Sequence, residues 1–166
     1  MLFKTPMSTG KILERKALLA RREELAQQGK QVVLANGCFD LLHAGHIATF
    51  EHAKAEGDVL IVAINSDDSI QRLKGPQRPI VTETYRAAMI AALEAVDLVV
   101  IFDETEVLPL VKELKPDVLV KGQDREGDVV GQEFVEGYGG RVAIAPLVQG
   151  LSTTELIKKV LDTYGS

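Results

Sequence analysis

The chain has 166 residues, 46% of them hydrophobic, a length and composition suited to one compact domain with a core of its own. Acidic residues outnumber basic ones, 24 against 19, so no broad basic face is available to neutralise a nucleic-acid backbone, and any bound phosphate is expected to be held locally. Apolar runs such as "DVLIVAIN" stop far short of the roughly 20 residues of a membrane span, no secretory leader pattern opens the chain, and one cysteine, Cys38, excludes an internal disulfide framework. A soluble cytoplasmic protein, with no nucleic-acid or membrane partner, is the expectation.

The opening "MLFKTPM" carries no periodic pattern. From Ser8, apolar residues at Ile12, Leu13, Leu18, Leu19 and Leu25 recur at helical spacing among charges and stop at Gly29, a good helix terminator. Residues 1–29 therefore read as an extension and a surface helix packed on a domain that fills 30–166. The "STGK" inside this stretch lacks the upstream glycine of a phosphate-binding loop, since Thr5 stands there, and is expected to cap the helix. After Gly29, strand-length runs are predicted at Gln31–Ala35, Val59–Asn65, Leu98–Phe102, Val118–Val120 and Val142–Ala145. Helical patterns lie between them at His46–Ala55, Thr82–Leu93, Glu104–Leu114, Val129–Tyr138 and Thr153–Leu161. The Gly/Pro-rich "LKGPQRPI" reads as a loop within the domain. Strands alternating with helices imply crossover connections, hence a doubly wound, Rossmann-like α/β domain of five parallel strands with helices on both faces. Its ligand crevice is expected at the carboxyl ends of the strands.

Two of the chain's three histidines stand three residues apart at such a strand end, in "LANGCFDLLHAGHI". Asn36 to Leu42 are expected to form the loop after the first strand, with the first crossover helix beginning at His46. The dinucleotide fingerprint G-x-G-x-x-G is absent, as is a Walker A loop. In their place, His43 and His46 can present ring N–H groups toward one point. Gly45, without a Cβ, lets a phosphate chain come close, and free amides of the first helical turn favour an anion. A cradle of this kind suits nucleotidyl transfer, in which an oxyanion attacks the α-phosphorus of a nucleoside triphosphate and pyrophosphate leaves.

"NGCFDLLHAGHI" resembles the signature of the H-x-G-H nucleotidyltransferase superfamily, which includes the cytidylyltransferases and pantetheine-phosphate adenylyltransferase. "GLSTTEL", at Gly150–Leu156, resembles the superfamily segment that opens the last helix and holds triphosphate oxygens. Between them, "NSDDSIQRLKGPQRPI", "RAAMIAALEAVDLVVIFDE" and "KPDVLVKGQD" resemble the D-glycero-β-D-manno-heptose 1-phosphate adenylyltransferases, the family of the nucleotidyltransferase domain of ADP-heptose synthases. The resemblance implies transfer of AMP from ATP to a heptose 1-phosphate, magnesium accompanying the triphosphate, a homodimer, and a separate sugar kinase acting upstream. It also implies roles. His43 and His46 bind the triphosphate and stabilise the transition state, and Lys74 bridges donor and acceptor phosphates, with Arg78 as a second candidate beside the sugar phosphate and Lys121 near it. Asn36, Gly37, Cys38, Phe39 and Gly45 lie against the nucleotide, Asp124 accepts from ribose or base, and Ser152, Thr153 and Thr154 donate to phosphate while capping the last helix.

Three departures bear on specificity. The R-T-E-G of glycerol-3-phosphate cytidylyltransferases is replaced by Leu147, Val148, Gln149 and Gly150, which argues against CTP and a polyol phosphate. An arginine common three residues after the final threonine is Ile157 here, with Lys158 adjacent. The K-G-G-D-Y of the heptose enzymes reads Lys121, Gly122, Gln123, Asp124, Arg125, a change at the sugar side of the site. The rival functions are another sugar- or polyol-phosphate nucleotidyltransferase and a relative that binds nucleotide without turnover. The structural alternatives are an ordinary helix start for the histidines, solvated loop charges for Lys74 and Arg78, a small buried side chain for Cys38, and a simple N-cap for Ser152. Zinc ligation by the histidines is disfavoured, because no further Cys/His cluster is available.

Overall fold

The computed structural model of the protein describes residues 10–123, 129–146, 148 and 150–165. Its elements, in chain order, are α1 (Arg15–Gln27), β1 (Val32–Gly37), α2 (Ala44–Ala55), β2 (Val59–Asn65), α3 (Asp67–Lys74) and α4 (Glu83–Ala91). They are followed by β3 (Leu98–Phe102), α5 (Leu108–Leu114), β4 (Val118–Gly122), α6 (Gln132–Gly137), β5 (Arg141–Ala145) and α7 (Thr153–Tyr164). All five strands are parallel, in the order β3-β2-β1-β4-β5. The doubly wound α/β expectation is borne out.

The near-continuous apolar strands are explained by burial on both faces. On β1, Val32 and Leu34 point to one side, where they pack with Leu18 and Leu25 of α1, Leu110, Val111 and Leu114 of α5, and Val135 of α6. Val33 and Ala35 point to the other, against Phe50 and Ala53 of α2 and Ala87, Ile90 and Ala91 of α4. Strand order reverses at β1: the chain leaves it through α2 to β2 on one side, while β4 pairs on its other side with Ala35 opposite Val120. A crevice opens at such a switch point.

Several boundaries differ from the sequence reading. The N-terminal helix starts at Arg15, not near Ser8. Residues 11–13 run extended beside β3, with Leu13 N–H donating to Val99 O and Val99 N–H to Lys11 O at 2.9 and 2.8 Å, so they cover a sheet edge. β1 runs on through Asn36 and Gly37, which are strand rather than loop. β4 extends to Gly122, α2 begins at Ala44 with His43 as its N-cap, and α5 begins at Leu108, with Pro109 in its first turn. The largest correction is α3: Lys74 ends a helix instead of lying in a loop. Only Ser69 and Ile70 of its eight residues are buried, so it offers no apolar run, yet its start and stop signals are present. Ser66 accepts from Ser69 N–H, Asp67 and Asp68 fill the first turn, and Gly75 at φ 93° ends it.

Candidate active site

The histidines sit where β1 hands over to α2. His43 keeps extended backbone (φ −142°, ψ 169°) while its carbonyl accepts from His46 N–H at 2.9 Å, so His43 is the N-cap residue, its ring free of any capping bond, and His46 lies in the first turn. The two rings stack, with centroids 3.7 Å apart and planes inclined by 22°. A Cβ on residue 45 would stand 3.0 Å from both Cε1 and Nδ1 of His43, so Gly45 lets the histidine ring lie close over it, a reason added to the phosphate approach expected from sequence. Beneath them, Phe39 takes φ 45°, a conformation uncommon for a non-glycine residue. Its ring stands edge-on to His46 at 5.1 Å and to Phe50 at 5.0 Å, and at Gly37 a Cβ would meet its Cζ at 2.9 Å. Gly37 and Phe39 thus form a support under the second imidazole.

Both rings are neutral near pH 7. Burial lowers the His43 pKa, and burial, then His43, then the ammonium of Lys74 lower that of His46 to about 4. Nδ1 of each ring is buried without a hydrogen-bond partner among the described residues. A buried N–H with no acceptor is the costlier arrangement, which places each ring proton on Nε2 and leaves Nε2–H as the donor offered outward. The influence on His46 also brings the Lys74 ammonium within electrostatic reach of that ring.

The C-terminal motif joins the same place. Leu151 Cβ lies 3.8 Å from where a Cβ of residue 45 would be, bringing the start of α7 to Gly45. Ser152 caps that helix, accepting from Glu155 N–H at 3.1 Å, and Thr153 and Thr154 form its first turn. At the switch point itself, Lys121 of β4 donates to Asn36 Oδ1 of β1. Cys38 is half-buried, its thiol 3.8 Å from Asn65 Oδ1. Arg78 is engaged by the buried carboxylate of Asp40, Nε to Oδ2 at 2.6 Å. Asp124 lies outside the described residues.

Sequence reasoning missed Asp40, Asp67 and Arg86. Arg86 is fully buried in the helix read as packing alone; it donates to Cys38 O, Val81 O and Asp67 Oδ1 at 2.7, 2.9 and 2.7 Å. Its signal was readable: an arginine four residues before Ile90 shares that residue's buried face.

A hollow of about 580 Å³ at the ends of β2 and β3 is ringed by Glu14, Asp67, Asp68, Glu83 and Asp103, whose charge repels a triphosphate. The histidine corner offers ring N–H donors instead. Among the described residues no helix is long and apolar enough to cross a membrane, and no group of three or more His, Cys, Asp or Glu could hold a metal ion.

A parallel sheet wound both ways, with two neutral imidazoles and a capped helix meeting at its switch point, defines a nucleotidyltransferase of the α/β class. Residues 34–159 match the family model of cytidylyltransferase-like proteins, and the chain belongs to that family. A protein of Syntrophotalea carbinolica named bifunctional protein HldE is 50% identical over 155 residues, 93% of this chain and 32% of that one. The chain thus spans about a third of the length of the curated relatives it matches. The crystal structure of the lipopolysaccharide core biosynthesis protein from Thermoplasma volcanium superposes with a TM-score of 0.60 at 35% identity, covering 72% of this chain and 98% of that one. Pantoate-beta-alanine ligase from Francisella tularensis, at 18% identity and a TM-score of 0.60 over 91% of this chain and 77% of its own, shares the fold.

Proposed function

We propose that the protein transfers AMP from ATP to D-glycero-β-D-manno-heptose 1-phosphate, yielding ADP-heptose and pyrophosphate. The observation that carries the transfer chemistry is the stacked, neutral pair His43 and His46 beside the start of α7. The sugar is supported by the segments that resemble heptose 1-phosphate adenylyltransferases, by relatives named HldE at about 50% identity, and by a structural neighbour whose name places it in lipopolysaccharide core biosynthesis.

In this reading a sugar-phosphate oxygen attacks the α-phosphorus of ATP in line, the bond from that phosphorus to the bridging oxygen breaks, and pyrophosphate departs with the electron pair. Nε2–H of His43 and His46 donates to oxygens that gain charge, as neutral dipoles whose orientation is fixed before reaction. Lys74 sits between donor and acceptor phosphates as a positive charge. Backbone amides of Gly37, Cys38 and Phe39 lie against the nucleotide, Lys121 lies at its sugar-phosphate end, and Ser152 to Thr154 present the amides and hydroxyls of α7 to the triphosphate. Magnesium fits here only as a companion of the nucleotide, held by phosphate oxygens and water, since the described residues offer no carboxylate cluster at the histidines. When bound it neutralises phosphate charge. A sugar kinase, in another domain or chain, supplies the anomeric phosphate, and the enzyme works as a homodimer.

The test is a grid of pyrophosphate release with magnesium: ATP or CTP, each with D-glycero-β-D-manno-heptose 1-phosphate, its α anomer or glycerol 3-phosphate. Turnover confined to ATP with the β anomer is expected. Preference for CTP with glycerol 3-phosphate, or ATP binding without turnover in any well, refutes the proposal.

A further inference from the structure

Two buried charged side chains outside the transfer chemistry tie the two sides of the crevice together. Asp40, on the loop that leaves β1, has a wholly buried carboxylate that accepts from Arg78 Nε at 2.6 Å, from Val81 N–H at 2.8 Å, and from Ile80 N–H at 2.8 and 3.0 Å. The grip holds the Asp40 carboxyl below its ordinary pKa, chiefly through the amides of Val81 and Ile80 and then through Arg78, against the opposing effect of burial. Arg86 completes it from the other side, since it holds the carbonyls of both Cys38 and Val81.

Residues 78–81 are therefore pinned to residues 38–40 by amides on one side and a carbonyl on the other. Each pinned end continues into the site. Upstream of Arg78 the chain reaches Lys74 through the turn at Gly75, where Arg78 N–H donates to Gly75 O at 3.2 Å. Between Cys38 and Asp40 stands Phe39, whose ring supports His46. Asp40 is wholly buried, so loss of Arg78 leaves its charge with the Ile80 and Val81 amides alone.

We propose that Arg78 is a positioning residue which, through Asp40, sets the distance between Lys74 and the His43–His46 pair, and is not itself a ligand of the sugar phosphate. The proposal rests on the nucleotidyl-transfer reading above for its functional meaning, and on the clamp for its structural content. Two measurements separate the two.

The first is amide exchange in the free protein, residue by residue, for wild type and Arg78→Ala. Asp40 keeps its carboxylate in this variant, yet exchange at Ile80 and Val81 is expected to quicken by about tenfold or more, because the acceptor has lost the group that orients it. Unchanged exchange there overturns the proposal whether or not the protein turns over any sugar phosphate tried. The second is steady-state pyrophosphate release by Arg78→Ala, Asp40→Asn and the double variant. Each single change is expected to lower kcat by roughly tenfold with KM for the sugar phosphate within about threefold, and the double variant to be no slower than the slower single one. A rise of about tenfold in that KM at intact kcat, the mark of a lost ligand, or a double variant showing the product of both losses, overturns it. If Asp40→Asn does not fold, Arg78→Lys replaces it, with a kcat expected between those of wild type and Arg78→Ala. A wild type silent with every sugar phosphate counts against the proposed function, and the exchange data then decide the clamp alone.

Discussion

Two neighbouring corners of the molecule are built on opposite principles. At the end of β1 and the start of α2, ring nitrogens of His43 and His46 are left without partners, stacked over a glycine and supported by a strained phenylalanine. At the approach to α4, every charged group that is buried is bound: Asp40 to Arg78 and two amides, Arg86 to two carbonyls and Asp67, and Asp67 N–H to Glu83 while Glu83 N–H returns the bond to Asp67. Burying a polar atom without a partner costs stability, and here that cost falls on the two Nδ1 acceptors, while Nε2–H of each ring is left for a ligand. Saturated contacts belong to scaffolding, and the incompletely paired rings mark the working surface.

Breaking the saturated corner is expected to have the largest effect, and on stability. Arg86→Met leaves two buried carbonyls unpartnered and Asp67 with the Glu83 N–H alone, and should destabilise the protein by about 3–5 kcal/mol, read as the shift in urea midpoint; a change below about 1 kcal/mol shows that the network does not hold the corner. Gly45→Ala acts on the uncommitted corner. Its methyl meets the His43 ring at 3.0 Å, so turnover should fall well before folding does, with a stability loss of about 1–3 kcal/mol at most. Ser152→Ala should remove only an N-cap, about 1 kcal/mol, together with a modest rise in KM for ATP.

A further expected effect concerns pH. His46 in the folded protein titrates at about 4 against the ordinary 6.5 of the unfolded chain, so the unfolded state binds more protons between those values. Native stability is therefore expected to decline as pH falls from 6.5 toward 4, and less steeply in His46→Asn than in wild type. Parallel declines in urea midpoint for the two proteins would show that the imidazole is not held neutral by the fold.

The sequence made the histidine corner legible and the saturated one nearly opaque, for physical reasons. Strand-length apolar runs alternating with helical patterns betray a parallel sheet, and H-x-G-H at a strand end has few structural uses. The C-terminal "STT" is a cap whatever else it does, so its role was visible even though its meeting with Gly45 was not. Asp40, Asp67 and Arg86, in contrast, look like ordinary charges in one dimension; only folding brings residues 38–40 against 78–86. Helix α3 hid because it shows the core little more than Ile70 and Ser69, leaving only caps as a sign, and α2 starts two residues earlier than its apolar pattern suggests because Ala44 and Gly45 carry no large apolar side chain.

The central claim is that the uncommitted Nε2–H of His46 stabilises the transition state. Its most direct test is the rate of pyrophosphate release, near neutral pH with magnesium, ATP and the heptose 1-phosphate, for wild type and His46→Ala, each shown folded by its unfolding midpoint. The variant is expected to keep its fold and to lose about 100-fold to 1,000-fold in turnover. A folded His46→Ala protein that releases pyrophosphate at the wild-type rate would contradict the assignment of the site.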